Sequence, residues 1–370
     1  MGGSVGFANT NTGERLRLAA FFARLALKER VTPRLHVRPL VAELFLTENC
    51  NLRCNSCQCW HENTRQELTA DEWKSVIEQL REQGLIKVNF TGGEPLLRRD
   101  AETIIRHAHD CGFRHLHLNT NGVLLDAQRL RAVLDAGVRS FNISVDGPDA
   151  ATHEAVRGVD GAYDRTIEAI ERLAALRRDH ALRLRMNFTV LRSNVASLPT
   201  MLRFAQDLDV PIYLNLGTDT TFLFRDPAIA PQVRIEPDDL DAALREVDSM
   251  LRSHRRGRPR YSEFRYLRRH FDDIVQRDVP CAESQLKLMI HSTGGIGGCW
   301  GHDPHHNVRT RSIRDVIDAA HYREEHARLF RKDCVGCGSN YSLNLRWRPS
   351  SYVRDLRWRA GWERLGDPVR

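Results

Sequence analysis

VAELFLTENCNLRCNSC, from Val41 to Cys57, is the stretch from which the fold is read. It opens as a short β-rich run, Ala42–Thr47, and leaves that run with three cysteines, Cys50, Cys54 and Cys57, at x3 and x2 spacing. Working outward, the same rhythm repeats. Strand patterns at Lys87–Thr91, His115–Thr120, Ser140–Val145, Arg183–Val190 and Ile212–Leu216 alternate with amphipathic helical patterns at Ala70–Gln83, Asp100–Cys111, Asp126–Ala136, Ala162–Leu176 and Leu198–Leu208. Thr69 and Asp126 stand where helix N-caps belong. Strands separated by helices form right-handed crossovers and a parallel sheet. Six repeats are too few for a closed eight-stranded barrel, so the expected fold is α/β, a partial (β/α)6 barrel. Sites in parallel barrels gather at the carboxyl ends of the strands, which is where the three thiols fall.

The rest of the chain sets limits. Its 370 residues carry 41% hydrophobic and 28% charged side chains, an ordinary balance for a globular protein. No apolar run is long enough to span a bilayer. Leu16, Ala19, Ala20, Ala23 and Leu27 recur at helical spacing near the N-terminus; Arg17 and Arg24 interrupt any signal-peptide core, so the stretch reads as a helix packed on the main domain. The net charge of +7 permits acidic partners without requiring them. Arg252–Arg260 reads as a solvated connector. The tail that mixes Arg346, Arg348, Arg354, Arg357 and Arg359 with Trp347, Trp358 and Trp362 reads as a docked helix rather than a base-stacking surface for nucleic acid. Nine cysteines without a signal peptide indicate a reducing, cytoplasmic setting and metal or redox chemistry instead of disulfides.

Three thiolates at this spacing can hold three irons of a [4Fe–4S] cube, leaving the fourth iron open to a ligand; a zinc site short of one ligand has the same residues. The next strand ends carry Thr91-Gly92-Gly93-Glu94-Pro95, Thr120-Asn121-Gly122 and Ser144-Val145-Asp146-Gly147. With Cys50-Asn-Leu-Arg-Cys54-Asn-Ser-Cys57, these motifs in this order resemble the radical S-adenosylmethionine (SAM) superfamily over residues 41–217. The resemblance implies a [4Fe–4S] cluster on Cys50, Cys54 and Cys57. It implies a SAM site in which Gly92, Gly93 and Glu94 hold the methionyl amine, the Ser56 backbone approaches the adenine, and Ser144 and Asn187 contact the ribose or carboxylate. Thr120 would face the substrate. The implied chemistry is one-electron cleavage of SAM, yielding a 5′-deoxyadenosyl radical that removes hydrogen from a C–H bond, with flavodoxin or ferredoxin as reductant.

A second group, Cys281, Cys299, Cys334 and Cys337, brackets a hairpin-like stretch at Leu286–Trp300 with a Gly-rich centre. Four cysteines fill a cube or a zinc tetrahedron. The arrangement resembles the twitch type of auxiliary-cluster domain that follows the barrel in some members of the superfamily, and it implies one auxiliary [4Fe–4S] cluster. The expected organisation is a helical extension (1–40), the barrel (41–217), a connector (218–280), the auxiliary-cluster domain (281–345) and the basic tail (346–370). A cluster with all four irons ligated takes an electron rather than a substrate. That favours oxidation of a polar small molecule, an aminosugar or cyclitol, from alcohol to ketone. The alternatives are a peptide-modifying maturase, against which the short N-terminal extension counts, and an epimerase, which needs a hydrogen-atom donor, commonly a thiol, for which Cys59 and Cys111 are the spare candidates. Asp219, Tyr213 and Glu263 are the candidate general bases.

Overall fold

The computed structural model describes residues 10–57, 59–61, 66–177, 179–217, 233–253, 280–299, 304–331 and 333. Six strands, β1 (Val41–Phe45), β2 (Lys87–Thr91), β3 (His115–Thr120), β4 (Ser140–Ser144), β5 (Arg183–Val190) and β6 (Ile212–Leu216), pair in parallel in sequence order. Helices α2 (Ala70–Glu82), α3 (Ala101–Asp110), α4 (Ala127–Asp135), α6 (Ala162–Leu176) and α7 (Leu198–Asp207) lie between them. The (β/α)6 reading holds, and most boundaries agree within one or two residues. A short helix that the pattern did not announce, α5 (Ala150–Arg157), stands between β4 and α6; Asp149 caps it and Gly158, at φ +68°, ends it.

Period-two alternation decides which side of the sheet is which. On β5, Leu184, Met186, Phe188 and Val190 are buried against the helices, in one core with Trp73, Ile77, Ile105, Val133, Ile170 and Met201. Burying such side chains contributes roughly 1.5–3 kcal/mol each, against about 0–1 kcal/mol for an exposed ion pair. The apolar face therefore fixes the register. The alternate residues, Arg183, Arg185, Asn187 and Thr189, are turned to the opposite, concave face.

After residue 280 the chain rejoins this sheet. Following the single turn α9 (Glu283–Leu286), β7 (Lys287–Ile290) pairs in parallel with β1, then β8 (Gly295–Gly297) and β9 (His306–Asn307) continue antiparallel. The order is β6-β5-β4-β3-β2-β1-β7-β8-β9, nine strands in one sheet. The hairpin expected at Leu286–Trp300 is present as β7–β8. Its pairing to β1 is long-range and leaves no local signal. Two further helices, α10 (Ile313–Asp318) and α11 (Ala320–Phe330), close this part, and α8 (Pro237–Ser253) packs on α7.

The N-terminal helix α1 (Thr12–Arg30) packs as expected, but on a different stripe. Phe21 and Leu25 are buried with Leu40, Ile86, Leu286 and Phe330, whereas Leu16 and Leu27 are exposed. The packed face also carries Glu14 and Lys28, and a stripe chosen by apolarity alone passes over charged residues. Glu14 meets His115, and Lys28 donates to the Leu35 carbonyl with its ammonium over the Phe330 ring. Lysine stems cover apolar surface while their tips find partners. The helix thus closes the amino ends of the strands. There Lys287 bridges Glu43 at 3.0 Å and Glu283 at 3.2 Å. The base is sealed by ion pairs, and the carboxyl ends of the strands are left for a site.

Candidate active site

The loop after β1 is held by the loops after β2 and β4. The Gly93 and Glu94 amides donate to the Thr47 and Asn49 carbonyls, both at 2.8 Å. A Cβ on Gly93 would stand 2.2 Å from the Asn49 oxygen, and one on Gly92 2.2 Å from the Thr47 oxygen. Those glycines are needed first to let two backbones touch. On the other side, the Arg53 and Asn55 amides donate to the carbonyls of Arg157 and Val156 at the end of α5.

The thiols sit in an apolar nest of Leu52, Val123, Val159 and Ala162. Two polar side chains reach in. Asn121 Nδ2 lies 4.0 Å from Cys50 Sγ while donating to Asn51 Oδ1 at 2.7 Å. Arg157, almost fully buried, points one nitrogen at Cys54 Sγ (3.7 Å) and pairs through another with buried Asp146 at 2.7 Å. Burial opposes the charge on Arg157, but Asp146 and the Cys54 sulfur outweigh it and hold the guanidinium more firmly protonated than usual. Burial pushes the Cys54 thiol up to about 12, with Arg157 pulling the other way, and it raises Cys50 as well. Cys57 is lowered, chiefly because Cys59 hydrogen-bonds to it. The Cys50 and Cys54 sulfurs, costly to ionise alone, become thiolates when a metal replaces their protons.

Those residues fit an iron–sulfur cluster: an apolar wall and N–H donors aimed at sulfur suit a cube.

The other expected residues divide. Ser144, Asn187 and Tyr213 lie side by side on β4, β5 and β6, joined by the register Ser144↔Asn187↔Tyr213. Asn215 Nδ2 donates to Asn187 Oδ1 at 2.7 Å, and Asn142 Nδ2 to Asn119 Oδ1 at 3.2 Å. Arg185 lies over the Tyr213 ring, and the concave face carries amides together with the guanidinium groups of β5. Ser56 lies in the turn between Cys54 and Cys57. Asp219, Glu263, Cys334 and Cys337, and the Arg/Trp tail, lie outside the described residues.

One expectation needs correction. Thr120 does not face the concave side. It falls on the helix-facing register of Leu116 and Leu118, is buried, and donates to Glu94 Oε1 at 2.8 Å; Asn119 is the β3 residue that shares the concave face. Glu94 is fully buried and accepts from Thr120, from the Asn121 amide at 2.8 Å and from the Leu96 amide at 3.1 Å. These three bonds tie the second and third strand ends together.

Residues not foreseen are Asn121, Asp146, Arg157 and the end of β7. His291 stacks on Phe45 with centroids 4.9 Å apart, and Ser292 donates to Glu48 at 3.3 Å, two residues before Cys50. Asn121 and Asp146 stand inside quoted motifs and could have been found there. Arg157 had no signal beyond its following glycine. Cys281 and Cys299 flank the β7–β8 hairpin: the Cys281 amide donates to the Phe330 carbonyl at 3.1 Å, and Gly298 lies against the His326 ring. No helix among the described residues is long and apolar enough to cross a membrane.

Comparison with known proteins agrees with this geometry. Residues 44–204 match the radical SAM superfamily model. The PqqA peptide cyclase of Bradyrhizobium diazoefficiens is 35% identical over 184 residues, 49% of this chain and 47% of that protein. The AdoMet-dependent heme synthase of Nitratidesulfovibrio vulgaris is 34% identical over 163 residues, 44% of this chain and 43% of that one. The match thus spans about half the length of these relatives. In fold, the chain is similar to Streptococcus suis SuiB bound to its precursor peptide SuiA, with TM-score 0.61 and 14% identity over 95% of this chain and 82% of that one. It is also similar to anSMEcpe with bound AdoMet, with TM-score 0.58 and 15% identity over 88% of this chain and 96% of that one. Such low identities speak to fold alone. A radical SAM domain implies a [4Fe–4S] cluster and SAM, and residues 44–204 of this chain are similar to such a domain.

Proposed function

We propose that the chain is a radical SAM enzyme that oxidises a peptide and passes one electron to a second iron–sulfur cluster. The observation that carries the reading is the concave polar row, Ser144, Asn187 and Tyr213, on the strand ends beside the three-thiol loop. Cys50, Cys54 and Cys57 would hold the cluster, and the Gly92–Gly93 backbone, Ser144 and Asn187 would orient SAM. When bound, that pair supplies a one-electron route to breaking an unactivated C–H bond. The chain itself contributes position and exclusion of water. The apolar wall of Leu52, Val123 and Val159 keeps solvent from the sulfurs, and Arg157 adds a fixed positive charge beside Cys54. Tyr213 is the described group placed to accept a proton from the oxidised substrate.

The second cluster would use Cys281, Cys299, Cys334 and Cys337. Support comes from α11: it touches both described cysteine segments and ends four residues before Cys334. A peptide is preferred because a curated relative is named a peptide cyclase. An aminosugar or cyclitol is the second reading, favoured by amides spaced to meet several hydroxyls: Asn119, Asn142, Asn187 and Asn215. The test offers the reduced, cluster-loaded protein SAM with either a precursor peptide encoded beside its gene or aminocyclitols, and follows 5′-deoxyadenosine and product mass. A peptide product lighter by two hydrogens is expected. Turnover of aminocyclitols alone would overturn the peptide, and an unchanged product mass would overturn oxidation.

A further inference from the structure

Outside the barrel mouth, three chemically dissimilar ligand atoms converge on one point. Glu78 lies in the later turns of α2, and His107 and Cys111 lie one helical turn apart at the end of α3. Glu78 Oε1 is 3.0 Å and Cys111 Sγ 3.4 Å from the same nitrogen, His107 Nε2, and all three atoms lie within 4.8 Å of one another. One ring nitrogen cannot give both neighbours a linear hydrogen bond of its own. An ion at the centre satisfies all three.

We propose that Glu78, His107 and Cys111 form a zinc-class transition-metal site that staples α2 to α3. Zinc bonds of about 2.0–2.3 Å to oxygen, nitrogen and sulfur place tetrahedral ligands about 3.3–3.6 Å apart. The two separations from His107 Nε2, 3.0 and 3.4 Å, lie within a few tenths of an ångström of that spacing. A mixed thiolate, imidazole and carboxylate set suits zinc and excludes magnesium or calcium, which take oxygen alone. The glutamate is mostly exposed and the histidine a quarter exposed, so the fourth vertex opens to water. Cys111 is part-buried against the core, which anchors the site. Burial, with help from Glu78 and Asp110 and against Arg81, keeps its thiol protonated in the free protein, and the metal displaces that proton.

The site lies near the carboxyl end of α3, where β3 begins, and so at the opposite end of the barrel from Cys50, Cys54 and Cys57. It is a helix clamp and takes no part in cleaving SAM. The test uses cluster-loaded protein equilibrated anaerobically with zinc chloride and then passed through a desalting column, with metals counted by plasma emission. The wild type should retain one more zinc per chain than His107→Ala or Cys111→Ser, at the same iron content and the same 5′-deoxyadenosine yield. Each variant should weaken zinc binding by more than the roughly 10–100-fold that loss of an outer-shell partner costs. Zinc should raise the Tm of the wild type and leave that of His107→Ala unchanged. Equal zinc retention in wild type and both variants, or a Tm indifferent to zinc, would overturn the site and leave a His–Glu ion pair with a neighbouring thiol.

Discussion

The two cysteine groups are built on opposite plans. Cys50, Cys54 and Cys57 fall within eight consecutive residues, and the loop that carries them is bonded to the ends of β2 and α5, with Asn121 and Arg157 reaching its sulfurs. Cys281 and Cys299 are separated by a hairpin, and their segments lean on a single helix, α11, through the Cys281 amide, the Gln285 amide on the His326 carbonyl, and Gly298 against the His326 ring. The first group is tied to two neighbouring loops and two side chains, whereas the described segments of the second lean on one helix. A site tied to several separate elements keeps its geometry when one tie is cut, whereas a site that leans on one helix depends on that helix.

That contrast can be broken experimentally. The largest effect belongs to Cys50, Cys54 and Cys57 changed together to Ala: 5′-deoxyadenosine formation should vanish in an anaerobic assay. Changing Cys281 and Cys299 to Ala should lower iron from about eight to about four per chain, as loss of one of two [4Fe–4S] clusters requires. SAM cleavage should survive while substrate oxidation is lost. If iron stays near eight, the second group is not a cluster site.

Arg157→Met sharpens the first region. It leaves the Asp146 carboxylate buried without its partner, a loss of about 3–5 kcal/mol, and it removes the donor to Cys54. Chemical denaturation and iron retention should both register it; an unchanged midpoint would show that the pair is dispensable.

The smallest effect compares one histidine from each region. His153, beside Asp146, and His326, beside Gly298, are both lowered by burial to about 3. Each is neutral when folded, whereas the unfolded chain takes up a proton below about pH 6.5. The unfolded state binds more protons in that window, so stability falls as pH drops from about 6.5 toward 3, by about 1.4 kcal/mol per pH unit for each histidine. His326→Phe should remove one share of the slope in denaturation measured between pH 6.5 and 4.5, and an unaltered slope would refute the assignment.

Legibility followed distance along the chain. The alternation of βα units was readable because period-two and 3.6-residue patterns are local, and the cysteine, GGE, TNG and DG stretches each occupy a few adjacent residues at a strand end. Thr120 was misdirected because a strand's last residue points to one face or the other, and the register with Leu116 and Leu118 sends it to Glu94. The stripe on α1 was misread because Glu14 and Lys28 occupy buried positions that polarity alone assigns to solvent.

By itself, the sequence determined a parallel α/β sheet with three thiols on the exit of its first strand, since both depend on patterns that a few neighbouring residues encode. Only the tertiary structure decided that β7 lies against β1, that Arg157 and Asn121 reach the sulfurs, and that Glu78, His107 and Cys111 meet. Those contacts join residues tens to hundreds of positions apart. They form because burying the apolar face of the sheet brings the chain back on itself, and no local pattern records which segments then become neighbours.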